Sequence, residues 1–299
     1  MTVTEPPSHA AAPPKKRPRL VIGIGILVAF IVVYGLSLFG FHLLGESAAP
    51  IKAPDLNAAD DTVVLVRIEE LKTVANRLGV KVLVYPQENM WDPKLEVLKT
   101  DTSVRMDPPN DAGDLAYPAG KSPAMVATTV EAHGDPEIWP FDSYKTDTLS
   151  AEVLSGSGDD RKYKPARVEV AGKLEGWDVS VQRVGEGGQE AGGGDSVIIT
   201  LHRSKAPLIF DLGICLVLFA LATMALAVVI PMATGRRKLV PPFGGWFAAL
   251  LFAVIPIRNF LPGAPPPGAW IDQALVIWVL IALVAAMVMY MRTWYKHSD

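Results

Sequence analysis

Four long apolar runs limit what this chain can become. The first, over residues 20–44, reads LVIGIGILVAFIVVYGLSLFGFHLL and holds no acidic or basic side chain. Three more follow late in the chain, over 207–233, 243–261 and 270–291, and the 243–261 run carries Pro256. About 20 apolar residues cross the hydrocarbon of a bilayer, whereas the apolar core of a signal peptide is roughly 7–15 residues long. The first run is therefore read as a retained anchor, and a cleaved signal ending near the small residues of ESAA stays open as the alternative. Pro231 and Pro256 sit near the ends of their runs, where a lost backbone hydrogen bond is easiest to replace.

Charge sets the expected orientation. Basic residues near span ends stay on the cytoplasmic side. The tail over 1–19 has Lys15, Lys16, Arg17 and Arg19, the 234–242 loop has Arg236, Arg237 and Lys238, and the 292–299 tail has Arg292 and Lys296. The 262–269 hairpin is preceded by Arg258 alone. With four spans all three basic flanks fall on one side, so both termini are expected in the cytoplasm of a multi-pass cell-membrane protein. Trp246, Trp270, Trp294 and Tyr295 then lie at lipid–water boundaries, which amphipathic rings prefer. The Pro- and Ala-rich tail over 1–19 lacks apolar periodicity and reads as disordered.

Residues 46–206 are then extracytoplasmic, and they read as β. TVVLVRIEEL, GVKVLVYP, KLEVLKTD, AMVATTVEAHG, TDTLSAEVL, ARVEVAGKL, GWDVSVQRV and SVIITLHRS are short, β-branched and roughly alternating. Turn-forming stretches separate them, with acidic or glycine-rich hairpin tips at 155–160 and 185–195. Helical periodicity is weak, with one candidate at 71–78. Val126, Thr128 and Val130 share one strand face, as do Val179 and Val181. The expected fold is membrane α+β: four transmembrane helices, with an antiparallel β-sandwich inserted between the first and second. The passage SVIITLHRSKAPLIFDLG runs from strand to span with almost no linker. It seats the domain near the bilayer and puts His202, Arg203 and Lys205 near headgroups.

Several chemistries find no support. Acidic residues outnumber basic ones over 46–206, which argues against a nucleic-acid partner. The single cysteine, Cys215, lies in a span and can form no internal disulfide, and five scattered histidines have no ligand spacing. No nucleophile elbow, phosphate loop or dinucleotide fingerprint occurs, so no catalytic residue, cofactor or metal site is assigned. DPPNDAGD reads as a solvated turn, with calcium held by Asp107, Asp111 and Asp114 as the alternative. The expected role is binding, scaffolding or accessory work in the cell envelope. Its partners are the lipid bilayer, lipid headgroups or envelope proteins, and the residues name no oligomeric state. A channel- or transporter-like assembly, or an envelope enzyme using outer carboxylates, is the alternative.

Two candidate sites stand out. In the turn Trp139, Pro140, Phe141, Asp142, the proline fixes its own φ and biases Trp139 toward an extended conformation. At least one ring should pack into the sandwich end, and Asp142 can cap exposed turn amides. The turn is a structural corner or a binding loop. The second site is a charge cluster. Asp211 and Asp272 each lie about one turn into a span, and Arg258 lies near the outer end of another. Charges near lipid usually pair, so Arg258 is expected between Asp211 and Asp272, unless each residue reaches the interface separately. The role is structural or an ion or headgroup site.

Taken whole, the chain resembles the domain-of-unknown-function 4436 family of actinobacterial membrane proteins. The resemblance rests on the anchor, on IWPFDSY within the β-region and on the closing spans with RNFLPGAPPPG, and it implies no activity. A partial resemblance links IWPFDSYKTDTLSAEVLS and ITLHRSKAPLIFDLGICLVL to the extracellular sandwich and first membrane passage of pentameric ligand-gated channels. The chain departs from those channels: it lacks their cysteine-bridged loop, has three closing spans instead of four and shows no polar pore stripe.

Overall fold

The structure, a computed structural model, describes residues 62–155, 161–184, 196–238, 242–263 and 265–297, together with residues 51 and 53–56 and part of the 25–42 segment. The basic tail over 1–19, the loop tips over 156–160 and 185–195 and the small-residue stretch after the first apolar run lie outside the described residues. The chain divides into two units, Met1–Glu46 and Ser47–Asp299. In the first, every described residue between 25 and 42 is helical.

The second unit begins with a long hairpin. Strands β1 (Val63–Lys72) and β2 (Arg77–Tyr85) pair antiparallel, with a bulge between Ile68 and Glu70. The 71–78 stretch is no helix. It holds the hairpin turn, closed by Ala75 N–H on the Lys72 carbonyl at 3.2 Å, with Asn76 at φ 53°. Asparagine tolerates that left-handed conformation, and the flanking β-branched residues favour strand. The remaining strands are β3 (Trp91–Asp92), β4 (Val97–Leu98), β5 (Thr102–Asp107), β6 (Leu115–Tyr117), β7 (Val126–Glu131), β8 (His133–Gly134), β9 (Ser143–Lys145), β10 (Ser150–Ser155), β11 (Lys162–Ala171), β12 (Trp177–Val184) and β13 (Ser196–Arg203).

Seven of these form a near-barrel sheet in the order β6-β5-β10-β11-β1-β2-β7, and four more form the sheet β12-β13-β9-β8. The expected purely antiparallel arrangement does not hold, because β1 and β11 run parallel, Val64 opposite Val168 and Val66 opposite Val170. Those central strands are buried on both faces, which is why Val63 to Val66 read as a continuous apolar run. Both sheets close over one core, in which Val64, Leu78 and Val168 of the larger sheet meet Tyr144, Ile199 and Leu201 of the smaller. Each such fully buried aliphatic side chain contributes about 1.5–3 kcal/mol. Polar contacts also join strands that are not neighbours in a sheet. Tyr117 donates its hydroxyl hydrogen to the Val82 carbonyl at 2.7 Å, and Arg183 of β12 reaches Glu169 of β11 at 2.6 Å.

Three helices follow: α1 (Lys205–Ala233), α2 (Phe243–Asn259) and α3 (Ile277–His297), the last entered through a π-helical turn at Asp272–Val276. Each presents one stripe to its neighbours. In α1 the stripe packed into the bundle core is Leu218, Ala222, Ala225 and Val229. In α3 and its entry turn it is Val276, Val279, Leu283, Ala286 and Tyr290. These spacings of three and four are a helix-packing seam. The outward faces are apolar too: Leu216, Phe252 and Trp278 are well exposed. Pro207–Ala233 and Asp272–Lys296 are long and apolar enough to cross a membrane, and Phe243–Asn259 is a shorter apolar helix.

Candidate site at the junction of the β-domain and the helices

Only Ser204 separates β13 from α1, and its N–H is held by the Gly176 carbonyl at 3.0 Å. The WPFD corner is built beside this seam. Pro136–Ile138 forms a short 3-10 turn capped by Asp135, whose carboxylate accepts from the Glu137 N–H. Asp142 is therefore not the cap of the turn. Its carboxylate accepts hydrogen bonds from Nε and Nη2 of Arg203, the latter at 3.1 Å. Both side chains are buried, at 6% exposure for Arg203 and 1% for Asp142. The guanidinium lies 4.8 Å from the Trp177 ring centroid and 6.0 Å from that of Trp139. A charge-assisted, bidentate pair walled by two indole rings is a rigid fastening.

Trp139 is the plug of the joint. It is fully buried, in a cluster with Leu261, Ala269 and Ile271, with Ile214 and Cys215 of α1 packed against it. One ring of the corner is buried, as expected, but it fills the end of the helix bundle and not the end of the β-domain. Its indole Nε1 donates to the Pro262 carbonyl at 3.1 Å, and Trp270 Nε1 donates to the Trp139 carbonyl. Phe141 and Ile138, on either side, are exposed. Gly263, at φ +74°, lets the 262–269 hairpin close on the same joint. A Cβ there would lie 2.5 Å from Nη1 of Arg203. Burial, and then the Asp142 carboxylate, push the neighbouring Tyr144 hydroxyl above its usual range.

The expected three-residue charge cluster divides in two. Arg258 donates from Nε and Nη2 to the two oxygens of Asp272 at 2.9 and 2.7 Å, and Nη2 also reaches the Pro266 carbonyl at 3.1 Å. The Gly268 N–H completes the Asp272 shell at 2.9 Å. Asp211 is not in this pair. It is fully buried, makes no hydrogen bond among the described residues and lies in the field of Arg203 and Asp142 instead. Arg203, expected near the headgroups, turns its side chain into the joint. Strand alternation carries the signal: Val197, Ile199 and Leu201 face inward along β13, and Arg203 is the next inward position.

The polar groups that bond across the joint, the indoles of Trp139 and Trp270 and the Arg203–Asp142 pair, are spent on one another and on backbone carbonyls. A second polar region lies in a recess of about 380 Å³ bordered by Arg105, Asp107, Asn110, Asp114, Ser150 and Glu152. Arg105 grips Asp114 at 2.8 and 2.9 Å, and Tyr163 donates to the same carboxylate at 2.7 Å. The Arg105 and Tyr163 hydrogen bonds hold the Asp114 carboxyl down at about 2. Asp111 is taken by Thr129 and by Arg77 at 3.5 Å. The calcium alternative for Asp107, Asp111 and Asp114 thus loses two of its ligands to protein cations, and no group of three His, Cys, Asp or Glu side chains is placed to hold a metal among the described residues.

A β-domain built on a seven-stranded and a four-stranded sheet, with a small β3-β4 ribbon beside them, and fastened without a linker to three apolar helices, defines an α+β protein with helices fit for a membrane. The chain belongs to the family of the domain of unknown function DUF4436, whose model matches residues 52–201. That match stops short of the helices. Residues 203–297 match a second domain of unknown function, DUF8686, so the seam between the two models falls at His202. No curated protein matches the chain.

Proposed function

We propose that this is a four-span membrane protein with both termini in the cytoplasm and residues 46–206 outside. Its β-domain serves as a rigid binding or scaffold module of the cell envelope. The observation that carries the reading is the seat of Trp139. The two indole hydrogen bonds fix the β-domain to one end of the helices, and the bidentate Arg203–Asp142 pair braces the corner that carries Trp139 against the last strand, β13. A module that reported its own ligand by swinging would need a looser joint. Membrane insertion is supported by the helix surfaces. Only 22% and 28% of the most apolar windows of α1 and α3 are buried, far less than in the core helix of a soluble protein. Orientation is supported by the basic flanks at the opposite end of the helices from Trp139.

The topology is tested with a reporter active only outside the cytoplasm. Fusion after Gly158 should be active and fusion after Lys238 inactive, and activity at Lys238 overturns the orientation. The binding role is tested by a photo-cross-linker at the exposed Leu95 or in the recess at Glu152 in cells. Adducts with envelope proteins are expected, and a chain that stays free of adducts at both positions sinks the scaffold reading.

A further inference from the structure

At the end of the helices opposite Trp139, an apolar groove of about 790 Å³ opens along α3. Leu251 of α2 forms one wall, and Val284, Val288 and Met291 form the other. Those three are spaced four and three residues apart, so they make a single stripe. The stripe ends in charge: Arg292 and Lys296, one turn apart, close the groove. Neither has an acidic partner among the described residues. The polarity gradient is therefore one-way, apolar along the wall and doubly cationic at the mouth. The mouth lies at the basic end of the bundle. A Cβ added at Gly244, at the start of α2, would lie 3.4 Å from the Tyr290 ring in the last part of α3, and the loop leaving α1 carries the exposed Arg236 and Arg237.

We propose that the groove binds one anionic phospholipid of the cytoplasmic leaflet, an acyl chain along Val284, Val288 and Met291 and the headgroup phosphate between Arg292 and Lys296. The inference rests on the membrane reading above. Charge complementarity selects this occupant over the others. The 20–44 run carries no acidic residue and is preceded by Lys15, Lys16, Arg17 and Arg19, so it would add cations to a cationic mouth. A second copy packed symmetrically would set Arg292 and Lys296 against their own equivalents. A zwitterionic lipid fills the apolar wall but brings no net charge to the two cations. Only an anionic lipid satisfies both parts, through hydrogen bonds from guanidinium and ammonium to phosphate oxygens.

The test uses the full chain in detergent micelles, with dioleoyl phosphatidylglycerol or dioleoyl phosphatidylcholine added and bound lipid counted by native mass spectrometry. One phosphatidylglycerol should be retained with roughly tenfold preference over phosphatidylcholine. The preference should vanish in the Arg292→Gln/Lys296→Gln variant and survive in Arg236→Gln/Arg237→Gln. Val288→Trp, which fills the groove and keeps the charges, should also release the lipid. Equal retention of both lipids, or a preference that survives Arg292→Gln/Lys296→Gln, overturns the proposal. So does ready disulfide formation between two copies carrying Val288→Cys, because the groove is then an interface. Addition of inorganic phosphate should not displace the lipid; displacement would make the site one for free anion. The assay reads the groove in purified protein whichever way the helices cross, so its failure and the failure of the topology reporter are separate results.

Discussion

Arg203 shows how a residue's place can be legible in a strand and still be missed. Its inward position follows from the alternation of β13, yet an arginine beside a span reads as a headgroup anchor because a buried guanidinium needs a partner that only the fold supplies. That partner, Asp142, is 61 residues earlier. Trp139 was legible as a buried ring, but not its destination, since Leu261, Ala269 and Ile271 come from the other module. Trp139→Ala should lower stability of the full chain in micelles by roughly 3–5 kcal/mol, read as a fall in thermal midpoint. Trp139→Phe, which keeps most of the ring and loses the bond to Pro262, should cost about 1 kcal/mol. A thermal midpoint unchanged by Trp139→Ala would show that the plug is not structural. Asp114 gives a pH prediction. Its folded value of about 2 lies below its ordinary 3.8, so the Arg105 and Tyr163 contacts stabilise the fold above about pH 4 and lose that effect as pH falls toward 2. The stability advantage of the natural protein over Asp114→Asn should therefore shrink between those limits. A constant difference across that window would contradict it.

At the level of elements, the long strands were legible and the short ones were not. β1, β2, β7 and β10 to β13 carry β-branched alternation, whereas β6 and β9 are three residues each, too brief to show a period, and β5, TSVRMD, alternates with only Val104 and Met106 as apolar members. They are strands because a neighbour offers a free edge, as β10 does for β5. The parallel pairing of β1 and β11 has no local signature at all, since a double-sided apolar run fits either direction. The 262–269 hairpin was better marked. Its opposite charges at Arg258 and Asp272 meet, held by a bidentate pair whose side chains are 13% and 17% exposed. Arg258→Asp should destabilise the helices by roughly 3 kcal/mol, and Asp272→Arg added to it should restore part of that loss. A double variant no better than the sum of the two single changes would remove the pair as a structural element. Asp211 went elsewhere because depth along a helix says nothing about which face a residue occupies.

For the whole molecule, the boundary between the two family matches at His202 coincides with the joint. Two units of sequence meet there, yet Ser204 is the sole spacer and the fastening crosses the boundary from Arg203 back to Asp142. Two glycines inserted after Ser204 should leave the core of each module protected and raise amide hydrogen exchange around 138–142 and 260–263. If exchange there stays slow, the joint does not depend on the short connection. The parallel contact at the centre of the larger sheet has its own consequence, in time instead of space. β1 is made first, but the strand on its far side, Lys162–Ala171, emerges about a hundred residues later. Until then β1 has a bare edge and only its hairpin partner β2, and closing so long a loop is slow. Sheet closure must therefore wait until most of the β-region has left the ribosome, shortly before α1 follows. The order of synthesis makes docking of the β-domain on its helices a late event, and leaves an apolar edge to be shielded on the way.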